Sequence, residues 1–252
     1  MSNYLFTLTI TPVQSFITQA RKTKDLFAGS EILSKIIKET INKATEDYRA
    51  KKIFPQDTKI VSNKFVLDVE TTEKNIKELG DKLEQFIKNK LYKDGLKIFI
   101  DEIFKINIQD SCDSFMIDDD FIKNQFKPQL CNFFQVFWVA VEYDKDKYQE
   151  SYRKLEQNLG AVKNLRVFNQ FEQMSGRKCS VCGERNGLFY NREKPHAFII
   201  DKAIRLKTNQ IEESETLCAV CFVKRFYSST IHFDSTQEIK MIKGIMLWFN
   251  LI

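Results

Sequence analysis

Glycine and proline are scarce in this chain of 252 residues, which has 8 glycines and 4 prolines. That scarcity excludes collagen-like, linker and disordered classes of protein. No apolar run approaches the ~18 residues that a membrane span requires. The N-terminus also lacks the basic segment and cleavage pattern of a signal peptide. These absences predict a globular protein of the cytoplasm that has no membrane partner.

The residues that are abundant allow a sizeable core. The chain is 43% hydrophobic, contains 22 phenylalanines and is long enough for one large or two small domains. Its net charge of +5 is modest but unevenly distributed: residues 101–120 hold seven acids and one lysine, whereas residues 163–225 hold twelve basic residues and seven acids. The second half is therefore the better candidate for an anionic partner, and an ordinary solvated surface is the alternative.

Four stretches have the aromatic and β-branched content of β-strands. They are Tyr4–Ile10, Lys59–Ser62, Lys64–Glu70 and Phe133–Tyr143. Alternate residues of the first stretch, from Tyr4 to Ile10, share one face. The last stretch, FFQVFWVAVEY, is nearly all apolar, which is typical of a central strand that is buried on both faces.

Apolar residues with helical spacing separate these strands. One helical pattern follows the first strand, is interrupted at Gly29 and resumes with Ser30 as its N-cap. Another runs from Ile76 to Leu91, and a further helix follows the breaker Gly95. An acidic run at residues 118–120 falls in a loop-like region, and a polar helical pattern begins after residue 145.

The resulting order is strand, helix, strand, strand, helix, strand. It is the order of the ferredoxin-like fold, in which helices cover one face of an antiparallel sheet. The sequence therefore predicts the α+β class. A ferredoxin-like domain is expected in residues 1–145, and a helical linker with a cysteine-containing module is expected in residues 146–252.

Two CxxC pairs are the strongest chemical signal: Cys179-Ser-Val-Cys182-Gly and Cys218-Ala-Val-Cys221. Each pair places two thiolates within reach of one ion, and four sulfurs complete a tetrahedral Zn²⁺ shell. Gly183 suits the tight turn after the first pair, where a positive φ must be tolerated. The pairs predict a closed, structural zinc site. The alternative is a redox CxxC, but that motif is single and begins a helix after a strand.

The remaining histidines and cysteines are not expected to bind the metal. His196 and His232 are interpreted as surface or packed residues, because four cysteines already fill the coordination shell. Cys112 and Cys131 are unpaired by spacing and are expected to be buried thiols.

The junction Thr11-Pro12-Val13-Gln14 has two interpretations. The first is a stable helix start that needs no ligand. In it Thr11 is the N-cap, Pro12 takes the first helical position, and the Gln14 side chain reaches back to the Thr11 N–H. The same geometry points free N–H groups and the positive end of the helix dipole away from a strand end, which would suit an anion such as a nucleotide phosphate.

The stretch YLFTLTITPVQSFITQARKTKDLFAGSEILS, residues 4–34, resembles the opening of the first palm domain in the Cmr-type large subunit of type III-B CRISPR effector complexes. Three later stretches match in order: SNKFVLDVE resembles the family's Asn-x-Phe strand, FFQVFWVAVEY its last palm strand, and GRKCSVCGER with LCAVCFVKRF its zinc module. The match covers essentially the whole chain. Thr11 departs from the glycine that is usual in the family.

This resemblance implies a subunit of an RNA-guided antiviral complex whose palm is related to nucleotide cyclases and polymerases. Full-length relatives have two palms that bind ATP between them. Their second palm carries a Gly-Gly-Asp-Asp motif that holds metal ions for cyclic oligoadenylate synthesis, and some relatives also carry an N-terminal His-Asp nuclease domain.

Neither catalytic motif is present here, since there is no Gly-Gly dipeptide and neither histidine is followed by aspartate. The chain also stops where the second palm should be approaching. It is therefore interpreted as the N-terminal part of the family, by truncation, by gene splitting or by the choice of fragment. On this interpretation the first palm is residues 1–145, and residues 146–252 are the linker and zinc module.

The first functional hypothesis is a noncatalytic palm that helps to build an ATP pocket and docks to other type III-B effector subunits, with CRISPR RNA and target RNA as partners through the complex. ATP with Mg²⁺ or Mn²⁺ would bind only when the second palm is present. The candidates for the nucleotide side are Gln14, Ser15, Arg21 and Lys22. Arg21 and Lys22 point about 100° apart on a helix, so they cannot both face one phosphate. Solvated basic residues are the alternative interpretation of these two.

The second hypothesis is a stand-alone, zinc-containing protein that binds single-stranded nucleic acid. It would use the basic residues around the cysteine pairs, which are Arg177, Lys178, Arg185, Arg192, Lys224 and Arg225. A stand-alone enzyme finds no support, because the sequence shows no paired acid and base, no Gly-rich loop and no triad pattern, and so no catalytic residues.

Overall fold

The computed structural model describes residues 2–57, 61–109, 119–165, 176–193 and 203–227. The elements that form the larger sheet and its helices are, in chain order, β1 (Ser2–Thr11), α1 (Gln14–Thr18), α2 (Thr23–Tyr48), β2 (Lys51–Phe54), β3 (Lys64–Thr71), α3 (Glu73–Gln109), α4 (Asp119–Phe121), a π-helix (Ile122–Phe126), α5 (Lys127–Cys131) and β4 (Gln135–Glu142). A short 3₁₀ helix (Lys145–Lys147) leads to α6 (Tyr148–Asn164). The cysteine module then contains β5 (Phe189–Tyr190), β6 (Ile204–Arg205), β7 (Thr216–Leu217) and α7 (Ala219–Tyr227).

The larger sheet has the strand order β2-β3-β1-β4 and is antiparallel throughout. The predicted strands at β1, β3 and β4 are confirmed. The predicted strand at Lys59–Ser62 falls partly outside the described part of the chain, which omits residues 58–60, and its residues 61 and 62 belong to no strand. The strand that pairs with β3 here is β2, which precedes Pro55 and was not predicted. The sequence of β2, KKIF, is short and shows no clear alternation of apolar and polar residues. The strand lies at the edge of the sheet and pairs with β3 through an irregular register at Lys52 and Phe54.

The strand β4 lies at the edge of the sheet and not at its centre, contrary to the prediction. Its apolar run has another cause, since each face of the strand packs against a helix. Trp138 joins the core on the side of α2 and α3, whereas Val139 and Val141 pack with Leu155 of α6. Burial of both faces of an edge strand gives the same apolar pattern as a central position.

Two cores therefore flank the sheet. Tyr4, Phe6, Leu8 and Ile10 are all buried on the side of α2 and α3, as the alternation of the first strand predicted. The opposite face, represented by Leu5 of β1, is covered by α6. Within residues 1–145, α2 and α3 pack on one face of the sheet, and the second face is covered by α6, which follows those residues in the chain.

Both predicted helix breaks are wrong, because each glycine meets a packing requirement inside a continuous helix. The helix α2 runs through Gly29, and Ser30 is not an N-cap. The helix α3 runs through Gly95, where an added Cβ would lie 2.7 Å from Val223 Cγ2 and 3.0 Å from Leu130 Cδ1. A side chain at residue 95 would therefore displace the helices that pack there.

The predicted capping box at the end of β1 does not form. Thr11 is the last residue of the strand, where it pairs with Gln135, and the N-cap of α1 is Val13, which makes no side-chain cap. The acidic run is also more ordered than predicted: residue 118 lies outside the described ranges, but Asp119 begins the helix α4.

An aromatic cluster connects the cysteine module to the rest of the core. Phe189 of β5 stacks on Phe222 of α7 with ring centroids 4.1 Å apart. Phe99 of α3 lies 5.5 Å from Phe189 and 5.3 Å from Phe126. Aromatic pairs at such distances add to the hydrophobic effect of burial. In the ranges given above, no helix is both long and apolar enough to cross a membrane.

Candidate metal centre

The first cysteine pair forms a tight knuckle. The N–H of Gly183 donates to the carbonyl oxygen of Cys179 at 2.9 Å, and Gly183 has a φ of 68°. The N–H of Cys179 donates to the carbonyl oxygen of Arg185 at 2.7 Å. The positive φ that the sequence predicted for Gly183 is confirmed, and the turn brings the Cys182 side chain back toward that of Cys179.

The second cysteine pair lies where β7 passes into α7. Cys218 directly precedes the helix, and its Sγ accepts the N–H of Cys221 at 3.4 Å. The N–H of Phe222 donates to the Cys218 carbonyl oxygen at 2.9 Å. Cys218 thus occupies the position of a helix cap, with sulfur in the place of the usual side-chain oxygen.

The four sulfurs of Cys179, Cys182, Cys218 and Cys221 all lie within 4.8 Å of one another. The Sγ atoms of Cys182 and Cys218 are 3.8 Å apart, and none of the four is in a disulfide. Zinc–sulfur bonds of ~2.3 Å in a tetrahedron require sulfurs about 3.8 Å apart. The donor set and its spacing therefore fit a zinc ion bound by four thiolates.

The electrostatics of the cluster bear on whether its four thiols can ionise together. Burial, followed by contact with the other three thiols, raises the pKa of the Cys218 thiol. The same contacts lower the pKa of Cys182, to which the Nη1 atom of Arg185 also lies close, at 3.8 Å from Sγ. Four thiols this close together, three of them buried and that of Cys182 half-buried, can all be ionised only if a cation balances their charge.

The four candidate nucleotide residues lie at the junction of β1, α1 and α2. Gln14 is exposed and Ser15 is half-buried, both on α1. Arg21 and Lys22 instead face the cysteine module: Arg21 Nη1 is 3.7 Å from Glu215 Oε1, and Lys22 Nζ is 3.4 Å from the Gln210 carbonyl oxygen. The structure thus brings Arg21 and Lys22 into contacts within the chain.

The structure contradicts the expectation that Lys224 and Arg225 form part of a nucleic-acid surface. Each has only 1% of its surface exposed. Lys224 Nζ donates to the carbonyl oxygen of Phe16 at 2.6 Å and to that of Gln19. Arg225 Nε lies 2.9 Å from each carboxylate oxygen of Asp25. Both side chains point into the protein because α7 packs on α2 and α3.

The other basic candidates contribute mainly to the module itself. Arg177 Nη2 donates to the Ser214 carbonyl oxygen at 2.8 Å, and Lys178 Nζ donates to Asn186 Oδ1 at 2.8 Å. Arg185 is buried, with its guanidinium 4.6 Å from the centre of the Phe133 ring. Arg192 is exposed. Within the described part of the chain, the six basic candidates therefore do not form one continuous face.

Sequence reasoning missed the buried acids that pair with Arg225, which are Asp25 and Glu215. A signal for them was available in α7, where Lys224 and Arg225 lie between Phe222 and Phe226 in a short apolar helix. Charged residues that are buried in this way require partners. His196, His232 and Cys112 lie outside the described residues, and Cys131 is half-buried.

The chain is similar in sequence to known CRISPR-associated proteins. The sequence model of the family described as CRISPR-associated protein Cmr2, N-terminal, matches residues 5–160. A curated relative from Pyrococcus furiosus, the CRISPR system Cmr subunit Cmr2, is 23% identical over 300 aligned positions, which cover 94% of this chain and 32% of the relative.

Solved structures share the fold. A chain of the type III-B Cmr-beta complex bound to cognate target RNA aligns with a TM-score of 0.54 and 16% identity, over 90% of this chain and 32% of that chain. A chain of the apo Cmr-beta complex aligns with a TM-score of 0.50 and 14% identity, over the same shares. The present chain thus spans about one third of the length of these relatives.

The α+β fold, the four-cysteine cluster and these similarities define the class of the chain as the N-terminal part of a Cmr-type CRISPR large subunit. The chain belongs to the Cmr2 N-terminal family.

Proposed function

We propose that this chain is the N-terminal part of the large subunit of a type III-B CRISPR effector complex, and that residues 1–145 form a ferredoxin-like palm. The family match over residues 5–160 carries this proposal. The antiparallel order β2-β3-β1-β4, with helices between β1 and β2 and between β3 and β4, supports the palm assignment. Residues 146–252 would supply α6, which covers the second face of the sheet, and the cysteine module.

The cysteine module would hold one structural zinc ion. Cys179, Cys182, Cys218 and Cys221 would supply its four thiolates, and a closed shell of this kind leaves no position for a substrate. The role of the ion would be to tie the knuckle at Gly183 to the start of α7. Structural zinc sites commonly contribute folding free energy directly.

The palm would contribute to an ATP pocket without performing chemistry itself. Gln14 and Ser15 are the candidates that can face a nucleotide, whereas Arg21 and Lys22 would act from positions already in contact with Glu215 and Gln210. Because the sequence has no Gly-Gly dipeptide, cyclic oligoadenylate synthesis with Mg²⁺ or Mn²⁺ would require a second palm.

Calorimetry with ATP and Mg²⁺ tests the nucleotide role. The chain alone is compared with the chain joined to the second palm of a full-length relative. Binding is expected only in the joined protein, and replacement of Gln14 and Ser15 by alanine should weaken it. Lys43→Ala, on the part of α2 that faces Phe86 of α3, should not. No binding to the joined protein would contradict the ATP pocket.

Co-purification tests the assembly role independently. The tagged chain is expressed with the other type III-B effector subunits of its own source and their CRISPR RNA, and the eluate is analysed by native mass spectrometry. A stable complex that contains the chain and the RNA is expected. Elution of the chain alone, although the remaining subunits assemble, would contradict the proposed role.

A further inference from the structure

Lys224 connects the cysteine module to the end of α1. Its ammonium group donates to the carbonyl oxygens of Phe16 and Gln19 and lies 5.2 Å from the centre of the Phe16 ring. The last carbonyl groups of a helix lack partners within the helix, and a cation there also interacts favourably with the helix dipole. Lys224 therefore fixes the point at which α1 ends.

Arg225 connects the same module to the start of α2. Besides Asp25, its guanidinium contacts the Gln210 carbonyl oxygen at 2.7 Å and Glu215 Oε2 at 3.0 Å, both through Nη1. Asp25 and Glu215 are 2% and 1% exposed. Burial favours the neutral form of Glu215. The hydrogen bond from Arg225, a backbone hydrogen bond from Glu212 and the charges of Arg225 and Lys22 together outweigh burial and lower the pKa of the Glu215 carboxyl group. We call Lys224 and Arg225 together the α7 clasp.

The helix α2 leaves room for this clasp at Gly29. A Cβ at residue 29 would lie 3.3 Å from Ile17 Cα and 3.4 Å from Lys224 Cδ. The first distance is tighter than an ordinary van der Waals contact, and the second lies at the lower limit of ordinary contact. The absence of a side chain at Gly29 therefore lets α1, α2 and the stem of Lys224 meet at one place.

The clasp lies one helical turn beyond the cysteines. Lys224 and Arg225 follow Cys221 by three and four residues, which places them next to it along α7. Burial lowers the pKa of Lys224, and the negative charges of Cys221, Asp25, Cys218 and Cys182 oppose that shift. Zinc bound by four thiolates carries a net charge of about −2. A metal ion at the cluster would therefore both hold the start of α7 and favour a charged Lys224.

We propose that metal loading of the four-cysteine cluster sets the conformation of residues 14–25 through the α7 clasp. Lys224 and Arg225 are positioning residues in this arrangement, because they act on the segment that carries Gln14, Ser15, Arg21 and Lys22. The coupling goes beyond the proposed function. It does not depend on nucleotide binding, so a failure of the ATP experiment and a failure of this coupling are distinguishable.

Hydrogen exchange measured by mass spectrometry on the full chain tests the coupling. In wild type, stepwise removal of zinc by a chelator should deprotect residues 14–25 in step with residues 218–227, while β3 keeps its protection. In zinc-loaded Lys224→Met, residues 14–25 should already exchange roughly tenfold faster or more, because two hydrogen bonds from a charged donor are lost. Removal of zinc from this variant should then add little.

The matched control is Lys43→Met, the same substitution on α2, where Lys43 is half-buried, pairs with Asp47 and lies 5.8 Å from the centre of the Phe86 ring. It should leave residues 14–25 protected, and all variants are compared at equal zinc content. Unchanged protection of residues 14–25 in Lys224→Met would overturn the proposal. If Lys224→Met fails to fold or to retain zinc, the wild-type series decides. Retained protection of residues 14–25 after residues 218–227 open, or loss of β3 protection at the same step, would overturn it.

Discussion

Arg225 and Asp25 form a buried ion pair between residues that are 200 positions apart, with Arg225 Nε 2.9 Å from both carboxylate oxygens. Asp25 lies in the stretch KDLFAGS that resembles the family's opening motif, and Arg225 lies in the stretch that resembles its zinc module. The two most specific motifs of the sequence thus meet in one contact. Residues 14–25 and the cysteine module therefore stabilise each other.

Loss of this pair should destabilise the protein strongly. In Asp25→Ala, the guanidinium of Arg225 stays buried but loses both carboxylate contacts of its Nε atom. Breaking a buried pair by removing one partner costs about 3–5 kcal/mol. We expect the free energy of unfolding in urea to fall by about 3 kcal/mol or more.

The control for this prediction is Asp47→Ala, which removes an exposed pair with Lys43 on the same helix. Pairs of that kind contribute about 0.3–0.5 kcal/mol. If Asp25→Ala unfolded at the same urea concentration as Asp47→Ala, the buried pair would not have the importance assigned to it.

Two glycine-to-alanine substitutions should change stability in opposite directions. At Gly80 of α3, a Cβ would lie 2.3 Å from Trp138 Cε2, so Gly80→Ala forces the indole or the helix to move and should cost about 1–3 kcal/mol. At Gly160 of α6, no atom lies within 4 Å of such a Cβ. Gly160→Ala should therefore gain about 0.5–1 kcal/mol from helix propensity. Thermal and urea unfolding of both variants measure this, and equal effects would contradict the packing of β4 on α3.

Tyr143 should make stability depend on pH in the alkaline range. Burial first, and then its hydrogen bond to Asp68 and the Asp68 charge, raise the pKa of Tyr143 from 10.0 to about 12. Between these values the unfolded chain releases the proton and the folded chain keeps it, so the free energy of unfolding falls as the pH rises from 10 to about 12. Below pH 10 this contribution is fully present.

Replacement by phenylalanine tests that assignment. Tyr143→Phe should make the fall in stability over this range shallower. It should also remove one group that titrates near pH 12 from the tyrosinate absorbance of the folded protein. If the titration showed that the tyrosine lost in Tyr143→Phe has an ordinary pKa near 10, Tyr143 would be solvated and the assignment would be wrong.

Much of the fold could be predicted from local patterns. The strands β1, β3 and β4 have clear apolar or alternating sequences, and the CxxC spacing indicated four sulfurs that the structure brings together. The strand β2 was missed because KKIF is short and its residues are largely exposed at the sheet edge, so no period of two could develop. The position of β4 could not be predicted, because an edge strand that is covered on both faces has the same apolar sequence pattern as a central strand.

The remaining errors have a common physical cause, which is tertiary contact. Gly29 and Gly95 look like helix breakers in sequence, but each allows a close approach within a continuous helix. Lys224 and Arg225 look like surface charges, whereas they bind two carboxylates and three carbonyl groups in the interior, some of them about 200 residues away in the chain. Sequence composition counts charges but does not show which of them face each other across a core.

The metal content of the purified chain is the most direct test of the account. Elemental analysis should find one zinc ion per chain, and X-ray absorption should find four sulfur ligands at about 2.3 Å. Cys182→Ser should lose the ion and destabilise the module, whereas Cys131→Ser, which alters a half-buried cysteine outside the cluster, should retain it. A chain that folds without metal, or an ion bound through nitrogen or oxygen, would contradict the account.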